Sequence, residues 1–194
     1  MQVLAFSTSP RRGGNTELLL DRVIEGLETG GAHVRRMRTH DLTISPCTGC
    51  GGCERNGVCV IEDYFRAISG ELMSCDGILF AAPLYFMNVP ARGKALIDRL
   101  QSFWVARRRL GLDLFGGRRR FGLLISCSGQ AYGPGGADVF RGIEDTMTYA
   151  FDALGAEKTE SLLVRRIDTP GEIARMPEVL ERAQRIGNEL SRFR

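Results

Sequence analysis

The stretch Asp76-Gly-Ile-Leu-Phe-Ala-Ala-Pro83 decides the fold of this chain. It is a short, continuous apolar run closed by a proline, which is typical of a parallel strand that helices cover on both faces. Outward from it, the chain alternates short apolar runs with longer segments of helical period. Such alternation predicts an α/β protein built on a parallel sheet.

The elements expected from this alternation are five strands and five helices. The strands are predicted at Gln2–Phe6, His33–Arg38, Asp76–Ala82, Phe121–Ser126 and near Glu160–Val164. The helices are predicted at Asn15–Glu28, Tyr64–Met73, Ala91–Phe103 and Val139–Leu154, with a last one carrying Val179, Ala183, Ile186 and Leu190. A length of 194 residues, 43% of them hydrophobic, suits one domain over residues 1–194 with a cysteine-rich loop insertion at about 45–62.

Composition argues against several other classes of protein. No apolar run approaches the ~20 residues of a membrane span, and no signal peptide is evident, so we expect a cytoplasmic protein with no membrane partner. The net charge of +3 is too small to indicate nucleic acid, and no helix-turn-helix pattern is present. The runs Arg107–Arg109 and Arg118–Arg120 are interpreted as solvated surface, with an NADPH phosphate or an acidic protein as the alternative partner.

Three loops are expected at the carboxyl ends of the strands, where open parallel sheets bind ligands. The first is Ser7-Thr-Ser9-Pro-Arg11-Arg-Gly-Gly-Asn15-Thr16. Hydroxyls, an amide and a guanidinium ahead of a helix N-terminus favour a bound phosphate. Simple N-capping by Asn15 or Thr16 is the alternative.

The other two loops suit a flat aromatic ring. In Pro83-Leu84-Tyr85-Phe86-Met87-Asn88-Val89-Pro90, two prolines bracket apolar side chains that could cover a ring or pack on a partner subunit. The segment Ser126–Gly136 offers glycines for close backbone approach and hydrogen-bond donors for a carbonyl. Cys127 lies in this loop and Cys75 beside the third strand, and both are interpreted as buried structural residues.

A cysteine-rich run follows the second strand. Cys47-Thr-Gly-Cys50-Gly-Gly-Cys53-Glu-Arg-Asn-Gly-Val-Cys59 holds four of the six cysteines in the pattern C-x2-C-x2-C-x5-C. The spacing is close to the iron–sulfur run of bacterial ferredoxins, although there the fourth cysteine follows three residues and precedes a proline. Zinc, disulfides and free redox-active thiols stay open as alternatives.

Together these motifs resemble the NAD(P)H-dependent FMN reductase-like members of the flavodoxin-like superfamily, and most closely the iron–sulfur flavoproteins. The resemblance covers nearly all of the first 135 residues. The residues that carry it are Ser7, Ser9, Pro10, Arg11, Asn15 and Thr16, then Ala82-Pro83-Leu84-Tyr85, then Asp98-Arg99, and the cysteines Cys47, Cys50, Cys53 and Cys59.

The resemblance implies a flavodoxin-like three-layer sandwich with strand order 2-1-3-4-5, an FMN in each subunit, and a homodimer or homotetramer. It implies that Ser9, Arg11, Asn15 and Thr16 hold the FMN phosphate and that Ser7 also belongs to the cofactor site. It implies that the ring is lined by Pro83, Leu84, Tyr85, Phe86, Met87 and Asn88, and by Ser126, Ser128, Gly129, Gln130 and Tyr132.

The expected function is that of an FMN-dependent oxidoreductase. Electrons would move between NAD(P)H or ferredoxin and an acceptor, through FMN and a 4Fe-4S cluster held by the four cysteines. No catalytic side chain is assigned, because the flavin carries the chemistry. The alternatives are an NAD(P)H-dependent FMN or quinone reductase without a cluster and a non-enzymatic electron carrier.

Overall fold

The computed structural model describes residues 1–193 of the chain, so residue 194, the last of the predicted domain, lies outside the described residues. The strands are β1 (Gln2–Ser7), β2 (His33–Arg38), β3 (Gly77–Pro83), β4 (Phe121–Ser128), β5 (Glu157–Lys158) and β6 (Leu162–Arg165). The helices are α1 (Asn15–Thr29), α2 (Phe65–Ser74), α3 (Ala91–Arg99), α4 (Gln101–Trp104), α5 (Arg141–Ala153) and α6 (Pro177–Leu190).

The strands form one parallel sheet in the order β2-β1-β3-β4-β5. The predicted flavodoxin-like order 2-1-3-4-5 is therefore confirmed. The sheet has six strands rather than five because the fifth position is split. β5 pairs with the start of β4 and β6 pairs with its end. Between them, Thr159 donates both its backbone N–H and its hydroxyl to the carbonyl of Gly122.

Alternating side chains of the central strands enter two apolar layers. On one face, Leu4, Phe6, Ile78 and Phe80 belong to the cluster that includes the buried residues of α2, α3 and α5. On the other face, Val3, Ala5, Leu79 and Ala81 belong to the cluster formed with α1 and α6. β3 is buried on both sides as predicted, which makes the protein a three-layer sandwich.

The helix that follows β3 is longer and less regular than a single helix over 91–103. It breaks at Leu100 into α3 and α4, and the chain then continues through one π-helical turn at Val105–Arg109. Such turns are rare and are found mainly where a helix must accommodate a nearby site. Within residues 1–193, no helix combines the length and the apolar character needed to cross a membrane.

Candidate functional site: an edge groove and a cysteine cavity

A groove follows the carboxyl edge of the sheet. Its narrow end, of about 110 Å³, lies at the start of α1, and its wide end, of about 670 Å³, lies beside the loop that follows β3. The two ends share four lining residues, Leu84, Tyr85, Gly129 and Asp168. The groove is therefore continuous, with one end suited to a small group and the other to a large flat one.

The narrow end is built for an anion. α1 begins after Gly14, and no side chain caps the first turn of the helix. The Ser9 hydroxyl accepts a hydrogen bond from the backbone N–H of Arg11 at 3.2 Å and donates one to the Arg11 carbonyl at 3.0 Å, which holds the loop beside the helix N-terminus. Uncapped N–H groups and the positive end of the helix dipole favour a negatively charged ligand here.

The buried carboxylate of Glu17 stabilises the loop that precedes α1. Glu17 accepts hydrogen bonds from the Ser7 hydroxyl and from the backbone N–H of Gly13, both at 2.8 Å. Its charge is balanced by Arg38, which hydrogen-bonds directly to it, and by Arg36 at 3.5 Å. Because the carboxylate is paired, it fixes the loop without leaving an unbalanced negative charge beneath an anion site.

The wide end is formed by a tight turn in the loop after β3. Tyr85 and Asn88 exchange two backbone hydrogen bonds, of 2.8 and 2.9 Å, across Phe86 and Met87. Both central residues have positive φ, 47° for Phe86 and 61° for Met87, as a type I′ turn requires and as side chains other than glycine rarely adopt. The turn leaves the Phe86 side chain fully exposed and Tyr85 43% exposed at the groove.

The opposite wall comes from the loop after β4. The Ser128 hydroxyl accepts a hydrogen bond from the backbone N–H of Gln130 at 3.1 Å. Arg165, at the end of β6, donates to the carbonyl of Ala131 and to the Asp138 carboxylate, each at 2.8 Å. Burial raises the pKa of the Cys127 thiol to about 12, so this residue at the groove floor stays neutral.

The structure brings most of the predicted cofactor residues to the groove. Those that line it are Ser9, Arg11, Asn15, Thr16, Pro83, Leu84, Tyr85, Phe86, Met87, Ser128, Gly129 and Gln130. Within residues 1–193, four others are not among the lining residues: Ser7, Asn88, Ser126 and Tyr132.

The interactions of three of these residues explain their position. Ser7 and Ser126 are fully buried in the strands, where Ser126 donates to the carbonyl of Ala82 at 2.7 Å. Asn88 instead fixes its own loop by donating to the Thr146 hydroxyl at 3.0 Å. Asn15 lines the groove, but its side chain is held by the Thr169 carbonyl and the Ile173 backbone N–H.

Sequence reasoning missed a fourth loop at the groove. Ile167, Asp168 and Pro170 follow β6 and line its narrow end, and Asp168 also reaches the wide end. This loop could have been predicted, because the loop after each strand of a parallel sheet begins at the same carboxyl edge. The stretch Asp168-Thr-Pro-Gly171 after the last strand is such a loop.

The four clustered cysteines line a second cavity, of about 400 Å³, which shares no lining residue with the groove in the described part of the chain. Its other wall is formed by residues at the end of α3, along α4 and at the start of the π-helical turn: Asp98, Arg99, Gln101, Ser102 and Val105. The cysteine cavity thus lies at the C-terminal end of α3, whereas the groove is lined by residues 83–87 of the loop that precedes α3.

Close packing holds the cysteine loop against the π-helical turn. Gly57 has φ of 76°, and a Cβ added there would stand 2.6 Å from the Cβ of Ala106. Glu54 and Arg109 form an ion pair of 2.8 Å across the same contact. A glycine is required at residue 57 both by the positive φ and by the close approach of the two backbones.

The pKa values of two of the clustered cysteines, Cys50 and Cys53, are shifted in opposite directions. Hydrogen bonds from the Gly52 backbone and the Thr48 side chain hold the pKa of Cys50 below its ordinary value. Burial, reinforced by the neighbouring sulfurs of Cys59, Cys47 and Cys50, raises the pKa of Cys53. The pKa of Cys53 therefore responds to all three of the other clustered sulfurs.

All six cysteines are free thiols. Within residues 1–193, no three side chains of His, Cys, Asp or Glu stand in an arrangement ready to hold a metal ion. The donor set nevertheless fits an iron–sulfur cluster, because four soft sulfur ligands line one small cavity.

Comparison with known proteins decides the family. Residues 1–138 match the family described as NADPH-dependent FMN reductase. The chain belongs to that family. Its members are FMN-dependent oxidoreductases, and the matched residues include the first three loops of the groove and the whole cysteine run.

Curated relatives within the family carry a more specific name. A protein of Methanosarcina thermophila named iron-sulfur flavoprotein is 31% identical over 147 residues, which cover 76% of this chain and 73% of that protein. One of the same name from Archaeoglobus fulgidus is 34% identical over 100 residues, covering 52% of this chain and 46% of that protein. The chain thus spans about half the length of the second relative.

Solved structures of low sequence identity share the fold of the family. An NAD(P)H:quinone oxidoreductase from Methanothermobacter marburgensis superposes with a TM-score of 0.75 at 16% identity, covering 100% of this chain and 98% of that one. A flavodoxin from the domain Archaea superposes with a TM-score of 0.56 at 12% identity, covering 98% and 95%. These two structures support the flavodoxin-like fold alone.

The arginines of the second run, Arg118–Arg120, differ in their surroundings. Arg118 donates to the carbonyls of Met73 and Ser74 at the end of α2. Arg120 is 1% exposed and donates to the carbonyls of Leu72, Cys75 and Leu154. Arg118 and Arg119 are exposed, as predicted for a solvated run, whereas Arg120 is a buried structural residue. The guanidiniums of Arg118 and Arg120 lie at helix C-termini, where cations are favoured.

Proposed function

We propose that this FMN-dependent oxidoreductase is of the iron–sulfur flavoprotein type. It would move electrons between NAD(P)H or ferredoxin and an acceptor, using FMN in the groove and a 4Fe-4S cluster in the cysteine cavity. The residues form a single flavodoxin-like domain with the cysteine loop as an insertion. Four cysteines around one cavity carry the proposal beyond a plain FMN reductase.

The groove supports FMN by its shape and its polarity. The uncapped start of α1, with Ser9, Arg11 and Thr16 around it, would hold the phosphate. The wide end would take the ring between the Leu84–Met87 turn and the Ser128–Gln130 wall. The strained turn fits this role, because backbone strain of this kind is concentrated at functional sites.

When bound, FMN supplies hydride and single-electron chemistry, and the cluster supplies single-electron transfer. The chain's own residues bind and orient these groups. Glu17 and Arg38 fix the phosphate loop, and Arg165 fixes the wall at the wide end. Cys47, Cys50, Cys53 and Cys59 would hold the cluster through their sulfurs.

An oligomer is part of the proposal. A third cavity, of about 450 Å³, lies between α3, α4 and α5, and it shares Asp98 and Gln101 with the cysteine cavity. Its lining includes Tyr149, which is 77% exposed, and Trp104, which is 36% exposed. Large exposed aromatic side chains on one face favour a homodimer or homotetramer built there.

We also place the protein in the cytoplasm, because thiolates that hold a cluster must stay reduced. Ferredoxin or a small molecule would be the electron partner. The second candidate function is an NAD(P)H-dependent FMN or quinone reductase without a cluster. It is favoured by the match of residues 1–138 to the family described as NADPH-dependent FMN reductase.

One experiment separates the two candidates. Protein is reconstituted anaerobically with FMN, iron and sulfide, desalted, and analysed by absorbance and by iron and sulfide content. The iron–sulfur type predicts a broad shoulder beside the flavin bands and about four irons per chain. Flavin bands without iron, together with steady-state NAD(P)H oxidation, would establish the plain reductase instead.

A further inference from the structure

A buried arginine lies between the cysteine loop and the end of α3. The side chain of Arg99 has no exposed surface, and its guanidinium lies over the ring of Phe65, 4.6 Å from the ring centre. The charged end of an arginine side chain on a helix ordinarily lies in water. Burying it has a large desolvation cost, which several specific contacts must offset.

The hydrogen bonds of the Arg99 side chain go to the cysteine loop and to the residue that follows it. Arg99 Nη1 donates to the Ser45 carbonyl at 2.9 Å and to the Asp63 carboxylate at 2.7 Å. Nη2 donates to the carbonyl of Ile61 at 3.1 Å. Nε donates to Sγ of Cys59 at 3.3 Å.

The Asp63 carboxylate completes a clamp on both arms of the loop. One oxygen accepts the backbone N–H of Ser45 at 2.8 Å, and the other accepts the backbone N–H of Phe65 at 3.0 Å. Ser45 precedes the cysteine run and Asp63 follows it, so Arg99 and Asp63 close the base of the loop. Both arms of the cysteine loop are thus held together by contacts within the chain.

The contact with Cys59 has a second consequence. A cationic N–H donor at a cysteine sulfur stabilises negative charge there, and a cluster is more negative when reduced. Hydrogen bonds to the sulfurs are among the factors that set the potential of an iron–sulfur cluster. Removing such a donor therefore disfavours the reduced cluster.

We propose that Arg99 is the positioning residue of the cysteine site. It clamps the base of the loop, orients Cys59 for ligation, and raises the reduction potential of the cluster. This inference rests on the proposed function, since it requires that the four cysteines hold a cluster.

The test compares Arg99→Lys with the wild type and with Arg120→Lys. Lysine keeps the charge but lacks the planar fork that reaches four partners at once. Arg120→Lys is the matched control, because Arg120 is equally buried but bonds to helix ends and to Cys75 rather than to the cysteine run. FMN content, iron content, the rate of iron loss to a chelator and the cluster midpoint potential are measured anaerobically for all three proteins.

We expect Arg99→Lys to retain FMN, to lose iron about 10- to 100-fold faster, and to show a more negative midpoint potential. Arg120→Lys is expected to keep the wild-type values of both cluster measurements. Wild-type iron retention and potential in Arg99→Lys would overturn the inference, and so would equal changes in both variants. If the wild type takes up FMN but no iron, the proposed cluster itself fails, and the wild-type sample alone reveals that outcome.

A second variant covers the case in which Arg99→Lys does not fold. Asp63→Asn retains Arg99 and its contact with Cys59 but weakens the clamp on the arms of the loop. We expect faster hydrogen exchange of the backbone over residues 46–61 and faster iron loss than in the wild type. Unchanged exchange and unchanged iron loss in Asp63→Asn would overturn the clamp.

Discussion

Replacing Arg11 by alanine tests the phosphate end of the groove, with Arg12→Ala as a built-in control. Both arginines are exposed and stand side by side in the loop before α1, and each variant removes the same charge. Only Arg11 lines the groove, whereas Arg12 pairs with Asp41 at 3.0 Å. Any difference between the variants therefore reports a local contact rather than a general loss of positive charge.

The expected loss of FMN affinity follows from the kind of contact that Arg11 would make with the phosphate. A hydrogen bond to a charged group contributes about 1.5–3 kcal/mol, and solvent around an exposed guanidinium favours the lower figure. Arg11→Ala should then weaken FMN binding roughly tenfold, since about 1.4 kcal/mol corresponds to that factor. Arg12→Ala should weaken it less than about fivefold, because interactions between exposed charges contribute only about 0–1 kcal/mol.

The assay is the quenching of flavin fluorescence during titration with apoprotein, carried out with FMN and with riboflavin. Riboflavin lacks the phosphate, so Arg11→Ala should leave its binding unchanged. Equal weakening of riboflavin and FMN, or equal effects of the two variants, would refute a phosphate site at the start of α1.

Three further predictions concern buried charges. Glu17→Gln removes the buried carboxylate that pairs with Arg38 and leaves Asp41, at 3.6 Å, as the acidic partner of that arginine. It should lower the free energy of unfolding by about 3 kcal/mol in urea denaturation of the apoprotein, and a change below about 1 kcal/mol would contradict the buried ion pair. Arg120→Met leaves three carbonyls at helix ends without their donor and should also cost about 3 kcal/mol in the same assay, while an unchanged midpoint would show that the caps contribute nothing. Burial tends to raise the pKa of Asp63, but hydrogen bonds from Arg99 and from two backbone N–H groups outweigh burial and lower that pKa overall. The ionised carboxylate therefore stabilises the fold above its unfolded pKa of about 3.9, and this stabilisation is lost as the pH falls through the folded pKa. The stability difference between wild type and Asp63→Asn should therefore be constant from about pH 5 to 7 and shrink below about pH 4, and a difference independent of pH would contradict the assignment.

The central sheet could be predicted from the sequence because its signals are local. β3 and β4 are continuous apolar runs, and both faces of such strands must be covered by helices. The form of the fifth strand was harder to predict from the sequence. Its division into β5 and β6 depends on hydrogen bonds between Thr159 and Gly122, which are 37 residues apart.

The site shows the same limit. The loops at the sheet edge could be found from composition, but Ser7 and Ser126 belong to strands whose neighbours cover them. Whether a polar side chain at a strand end faces the groove depends on where the strand stops, and residue spacing does not give that point. Arg99 was noted only as part of a family motif, because its partners lie 36 to 54 residues earlier in the chain.

The central claim is that the edge groove binds FMN through its phosphate and its ring. The most direct measurement is the ratio of flavin to protein after the apoprotein has been mixed with excess FMN and passed through gel filtration. We expect the protein to retain a single FMN per chain and to retain riboflavin less well. Protein that leaves the column free of flavin, although it is folded, would contradict the claim.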